Sequence, residues 1–173
     1  MPFSLYDATV ANFQQTLAAS SSILQRAEAH FQQAGTPLDE IVETRLAPDM
    51  LPFRFQIVSV AHHSLGAING ARSGLFKPPA STDPLDFAAL QALLAQAQHA
   101  LAALNRDEVN ALEGRAMIFQ LGARQMPFLA EDFLLSFSLP NFYFHATTAY
   151  DLLRQRGMPL GKRDYLGRPR VTV

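Results

Sequence analysis

Residues 6–31, YDATVANFQQTLAASSSILQRAEAHF, place apolar or small side chains at alternating spacings of four and three. Spacings of this kind put every such side chain on one stripe of a long helix, facing a core. Ser4 and Asp7 before the stripe resemble a capping box, with Asp in place of the usual Glu, and Gly35 is well placed to end the helix. The stripe consists of Tyr6, Val10, Phe13, Leu17, Ser20, Leu24, Ala27 and Phe31.

Three further segments carry stripes of the same kind. A second helix is predicted from Asp49, as its N-cap, to about residue 70, with Phe53, Ile57 and Val60 on its stripe. A third begins at a cap on Thr82 or Asp83, with Pro84 as its first residue, and reaches about residue 104. The last runs from about residue 130 to 156 and is ended by Gly157 and Pro159.

Two other segments shape the predicted topology. Residues 72–83 form a Pro-, Ser- and Gly-rich linker that reaches about 40 Å when extended, enough to join two helices that run in the same direction. Residues 117–121 and 125–128 flank a turn at Gly122 and predict a β-hairpin. The predicted fold is therefore an all-α four-helix bundle with a small β-hairpin before the last helix.

The composition describes one domain with a sparsely charged surface. The 173 residues predict a single domain over 1–173, with a C-terminal tail from about residue 158 whose basic side chains are interpreted as solvated. Only 17% of residues are charged, which predicts surface buried between the subunits of a homodimer. A net charge of −1 argues against nucleic acid or a membrane surface as a partner. With no cysteine, signal-peptide pattern or long apolar run, we expect a cytoplasmic protein.

The last helix carries a proline and two polar side chains on its apolar face. A proline in a helix interior costs about 3 kcal/mol and leaves a carbonyl without its donor. Because such a defect is usually retained where it has a function, we expect a functional feature near Pro140. Asn141 and His145 lie four residues apart and share one face. Helices offer two metal ligands at this spacing, although an amide is a poor ligand for transition metals. Two interpretations remain, a metal ligand and a hydrogen-bonded core histidine.

The second helix offers partners for that pair. Asp49, Gln56 and His63 are spaced by seven residues and lie near one stripe. Gln56 stands among phenylalanines, so we expect it to face inward and to hydrogen-bond a histidine on the facing helix. For Asp49 the sequence favours a helix cap over a ligand role, and for His63 it favours a surface position beside His62.

Three segments together resemble a known family. They are RLAPDM at residues 45–50, LPNFYFHATTAY at 139–150 and GKRDYLG at 161–167. The chain resembles the uncharacterised domain-of-unknown-function family numbered 1993, which is grouped with the DinB/YfiT-like superfamily. The resemblance spans Tyr6 to Gly167 and implies a four-helix bundle in up-down-down-up order, with a long crossover between the second and third helices.

The resemblance also implies a site. Well-studied DinB-like proteins hold a divalent ion, commonly nickel or zinc, with one histidine from the second helix and two, four apart, from the last. Several of these relatives are thiol transferases or hydrolases. By position, Gln56, Asn141 and His145 stand at those three places, and only one of them is a histidine. This departure leaves either a weakly bound divalent ion or none.

Two functions follow, and the sequence leaves both open. In the first, the chain is a metal-dependent or metal-derived enzyme of transferase or hydrolase type. His145 is then the metal ligand or general base, Tyr143 is a second catalytic residue, and Gln56, Asn141 and Asp49 bind the ligand. In the second, a non-catalytic bundle binds a small molecule or serves as a dimeric scaffold, and Gln56, Asn141 and His145 hydrogen-bond one another across the core.

Overall fold

Most of the described residues are helical, and three short strands form a small sheet. The computed structural model describes residues 3–79 and 84–171. Within these ranges no helix is both long and apolar enough to cross a bilayer. The helices, in chain order, are α1 (Leu5–Ala8), α2 (Val10–Gln33), α3 (Leu38–Val42), α4 (53–73), α5 (Phe87–Ala102), α6 (Arg106–Asn110), α7 (130–155) and α8 (Lys162–Leu166). The strands are β1 (Leu75–Phe76), β2 (Ala116–Leu121) and β3 (Arg124–Leu129).

The long helices bury the stripes that the sequence predicts. Along α2, Val10, Phe13 and Leu17 have no exposed surface. Helix α2 packs against α5, and α4 packs against both α5 and α7. The ring of Phe13 meets that of Phe142 on α7 edge to face, with centroids 4.9 Å apart. Aromatic pairs of this geometry add about 1 kcal/mol to the burial itself, so this contact helps to hold α2 against α7.

Helix α4 begins later than the sequence predicts. Its N-cap is Pro52, whose extended backbone (ψ 172°) precedes Phe53, while Asp49 lies exposed in the turn before it. The prediction of Asp49 as the N-cap was therefore wrong. A residue before proline is pushed out of the helical region, so Leu51 cannot continue a helix that would start at Asp49.

Two π-helical segments interrupt the helices that carry the polar residues. One covers His62–Gly66 within α4, and the other covers Phe133–Ser138 within α7, directly before Leu139 and Pro140. Pro140 has no N–H, so it cannot donate the usual helix hydrogen bond to the preceding turn. The wider π-helical turn lies at the position of this missing bond. The defect that the sequence locates at Pro140 is thus accommodated by a change of helical pitch.

A three-stranded sheet lies where the sequence predicts a two-stranded hairpin. Strands β2 and β3 pair antiparallel, with Leu121 opposite Arg124, and β1 pairs parallel with β2, with Phe76 opposite Phe119. Strand β1 was not predicted from the sequence, because two residues within a Gly- and Pro-rich linker show no alternation. The short strand fixes Phe76, which is only 3% exposed, against the two π-helical segments.

The remaining boundaries also differ in part. Helix α5 is capped by Asp86, which accepts from the backbone N–H of Ala89 at 2.7 Å. The predicted caps at Thr82 and Asp83 lie outside the described residues. The segment from residue 158 is not simply a solvated tail, because Met158 and Leu160 are buried and α8 packs against α2.

Candidate functional site

A chain of hydrogen bonds links the loop before α4 to the middle of α7. His145 Nδ1 lies 2.7 Å from Gln56 Oε1, and Gln56 Nε2 donates to the carbonyl oxygen of Leu51 at 2.8 Å. Gln56 is buried, with 2% of its surface exposed, whereas His145 is only partly buried. The structure therefore brings together the glutamine and the histidine that the sequence predicts to face each other.

These bonds decide which nitrogen of His145 carries a hydrogen. The carbonyl of Leu51 only accepts, so it orients the Gln56 amide with its nitrogen toward Leu51 and its oxygen toward His145. That amide oxygen also only accepts, so the hydrogen of a neutral His145 lies on Nδ1. The lone pair of Nε2 is then left as the acceptor on the opposite edge of the ring.

A second imidazole lies beside the first. The rings of His63 and His145 are stacked, with centroids 5.8 Å apart and planes at 14°. His63 is 7% exposed, and its Nδ1 lies 3.3 Å from the Ser138 hydroxyl, which donates to the His63 carbonyl at 3.0 Å. The favoured surface position for His63 was therefore wrong. The two π-helical segments meet at this serine and turn His63 inward.

Burial makes both imidazoles poor bases. Desolvation lowers the pKa of His145 to about 4. Desolvation, together with repulsion from protonated His62 and His145, lowers the pKa of His63 to about 3. His62 is held in place by the Lys77 carbonyl 2.7 Å from its Nε2, and desolvation lowers its pKa as well. The His63 and His145 rings are therefore neutral at pH 7.

The other predicted site residues do not join this pair. Asn141 donates from Nδ2 to the carbonyl of Phe137 at 2.7 Å, one turn back on its own helix, so the predicted network of Asn141 with Gln56 and His145 does not form. Asp49 is exposed in the loop before α4. Tyr143 lines a separate cavity against α2 and α8, away from His145. Asn141 and Tyr143 thus lie on the same helix as His145 but have different neighbours.

The comparisons with known proteins agree with this architecture. The family model described as "Domain of unknown function (DUF1993)" matches residues 5–166. The chain belongs to this family. The fold is similar to the crystal structure of a DinB family member protein from Shewanella denitrificans, with 25% identity and a TM-score of 0.81. That similarity covers 98% of this chain and 95% of the other. No curated protein matches the chain.

The donor atoms of this DUF1993 chain do not fit the three-histidine metal site that the DinB resemblance implies. The Gln56 amide is engaged at both its oxygen and its nitrogen, and the Asn141 nitrogen is engaged by its own helix. The His63 and His145 rings are nearly parallel, so their in-plane lone pairs do not converge on one point. Among the described residues, no group of three or more His, Asp or Glu side chains is arranged to hold an ion.

His63 is the residue of this DUF1993 chain whose burial was not predicted from the sequence. Its helical position places it on the same stripe as Gln56, seven residues earlier, which was the available signal. Because His62 is adjacent, an exposed pair of histidines was favoured over a buried His63. Burial of His63 depends on Phe76 of the unpredicted strand β1, whose ring centroid lies 5.5 Å from that of His63.

Proposed function

We propose that this DUF1993 protein binds a small neutral molecule at His145, on a DinB-type bundle that works without a metal ion. Helices α2, α4, α5 and α7 are the four members of this bundle in the proposal, arranged up-down-down-up with the crossover between α4 and α5. The observation that carries the proposal is the Leu51–Gln56–His145 chain of hydrogen bonds. It leaves one oriented acceptor, the Nε2 lone pair of a neutral imidazole.

The low pKa favours binding over catalysis. A general base works best when its pKa lies near the working pH, and enzymes tune histidines, carboxylates and lysines toward that value. A pKa of about 4 moves His145 away from that range, so its conjugate acid is formed only at acidic pH. As a hydrogen-bond acceptor, by contrast, a neutral imidazole is effective over the whole range above that value. We therefore assign His145 an anchoring role.

The surroundings of His145 indicate the class of ligand. The Phe55 ring lies edge to face with the imidazole, with centroids 5.8 Å apart, and the Phe144 ring lies 5.3 Å away. Phe144 is 57% exposed and Leu51 is 49% exposed, so apolar surface flanks the partly buried histidine. An apolar or aromatic molecule with one O–H or N–H group matches this combination of a single acceptor and an apolar rim.

The test uses phenol, with anisole as a matched probe that lacks the donor. We expect phenol to shift the ¹⁵N resonance of His145 Nε2 in a saturable way, and anisole to leave it unchanged. The His145→Phe variant keeps an aromatic ring on α7 and should bind phenol at least tenfold more weakly, measured in both proteins from the backbone amide shifts of residues 144–146. His99→Phe, on the exposed face of α5, should behave as wild type. Equal responses to phenol and anisole, or no loss in His145→Phe, would refute the proposal.

A further inference from the structure

The C-terminal motif GKRDYLG, residues 161–167, packs against α2 and is not a free tail. The Asp164 carboxylate accepts from the backbone N–H of Gly161 at 2.7 Å and forms an ion pair with Arg26 on α2. Gln15, also on α2, donates to the Leu166 carbonyl at 2.9 Å. Gly167 follows with φ of 62°, and a Cβ atom there would meet the Cβ of Ala19 at 3.0 Å. The second half of the motif, from Asp164 to Gly167, is therefore held against α2.

This fastening encloses a cavity of about 260 Å³ between α2, α7 and α8. The side chains around it are mostly polar: Asn12, Gln15, Thr16, Tyr143, Tyr165 and Leu166. Binding sites for drug-sized molecules measure about 300–1,000 Å³, so this volume suits a smaller ligand. Neither His63 nor His145 lines the cavity, so it is distinct from the site proposed above.

Two phenol groups offer hydrogen-bond donors to this space. The Thr147 hydroxyl donates to the Tyr165 oxygen at 2.9 Å, which leaves the hydrogen of Tyr165 available to another acceptor. Among the described residues, the Tyr143 hydroxyl makes no hydrogen bond. Burial, reinforced by the neighbouring Tyr165, raises the pKa of Tyr143, so this phenol keeps its hydrogen at neutral pH.

A positive charge lies beside this cavity. The guanidinium of Arg170 donates at 2.7 Å to Oδ1 of Asn12, one of the lining residues, and its charge opposes the rise in the pKa of Tyr143. Within residues 3–79 and 84–171, no carboxylate lines the cavity, and the nearby Asp164 is paired with Arg26. Phenol donors beside one guanidinium favour an acceptor that carries a single negative charge.

We propose that this cavity is a binding site for a small monocarboxylate, held by the hydroxyls of Tyr143 and Tyr165 and by the guanidinium of Arg170. Such a site binds its ligand by charge-assisted hydrogen bonding, which is stronger than bonding between neutral groups. The GKRDYLG motif then serves to position Tyr165 opposite Tyr143. The proposal concerns a cavity that His145 does not line, so either proposal can fail without the other.

The test is a titration with propionate, compared with the isosteric neutral propionamide. In ¹H–¹⁵N correlation spectra at low salt, we expect saturable shifts of the Leu166 and Gly167 amides with propionate and none with propionamide. Tyr143→Phe and Arg170→Gln should each weaken propionate binding about tenfold. Tyr6→Phe is the matched control, because Tyr6 lies on α1 beneath the Arg106 guanidinium.

The results of this titration either support or overturn the proposed monocarboxylate site. Arg170 is exposed, so Arg170→Gln should fold even if removal of a half-buried hydroxyl disturbs the protein. Loss of propionate binding in Arg170→Gln with retention in Tyr6→Phe supports the site. Equal binding of propionamide, unchanged binding in both site variants, or no saturable shift with wild-type protein overturns it.

Discussion

Lowering the pH from 7 to 5 should destabilise the fold mainly through His63 and His145, with a smaller contribution from His62, whose pKa is also lowered. In the folded protein the pKa values of His63 and His145 are about 3 and about 4, against an ordinary value of 6.5 for an exposed histidine. Between pH 7 and pH 5 the unfolded chain therefore takes up protons at both positions while the folded chain does not. Stability contributed by these neutral rings is present above pH 6.5 and is lost as the pH falls toward the folded values.

The magnitude follows from linkage. Each pH unit below the unfolded pKa costs about 1.4 kcal/mol for each such group, so the step to pH 5 costs about 2 kcal/mol per histidine. Since His145 is partly exposed, we expect about 2–4 kcal/mol in total rather than the full sum. In a protein of this size that corresponds to a fall in melting temperature of roughly 5–15 °C.

Urea unfolding at pH 7 and pH 5 measures this difference directly. With no tryptophan in the chain, far-UV circular dichroism is the suitable signal. His63→Asn, which keeps a polar group near Ser138, should remove about half of the pH dependence, whereas His99→Asn on the exposed face of α5 should retain it. Equal free energies of unfolding at the two pH values, or an unchanged difference in His63→Asn, would refute the assignment of neutral buried rings.

The stability contributed by two aspartates is lost only at lower pH. The pKa of Asp7 is lowered by its bonds to Arg106 and Ser4, and that of Asp164 is lowered by the Gly161 N–H and by Arg26. A carboxylate with a lowered folded pKa contributes stability above its ordinary value of 3.8, and that contribution is lost only below it. Loss of stability between pH 7 and pH 5 is therefore not due to these two carboxylates.

Further variants test the packing and the donor assignments. Gln56→Leu should cost about 1–3 kcal/mol in urea unfolding, because it leaves His145 and a backbone carbonyl without their partner; no loss would contradict the bonded chain. Wild-type protein without a tag should hold less than about a tenth of an equivalent of zinc, whereas Gln56→His with Asn141→His should gain binding by calorimetry; tight zinc binding by wild type would contradict the donor analysis. Gly70→Ala should cost about 1–3 kcal/mol, because the new Cβ would lie 2.9 Å from the Phe76 ring, and a neutral effect would contradict the close packing of β1. The predicted homodimer should appear in sedimentation equilibrium at micromolar concentration, and a monomer there would contradict the interpretation of the low surface charge.

The sequence determined the helical segments and one pairing between them. Apolar residues at spacings of three and four identify a buried helix face without reference to distant parts of the chain, so the stripes of α2, α4, α5 and α7 were readable locally. The pairing of Gln56 with His145 followed from the same logic, because a buried polar side chain requires a partner and few were available on the facing helix.

Tertiary structure alone decided how the polar side chains are used. Burial of His63 depends on Phe76 in a strand too short to show a pattern, and the tautomer of His145 depends on a carbonyl in the loop before α4. Tyr143 lies two residues from His145 but faces α8, which is more than ten residues further along the chain. Each of these outcomes rests on contacts between segments distant in sequence, and local periodicity carries no information about such contacts.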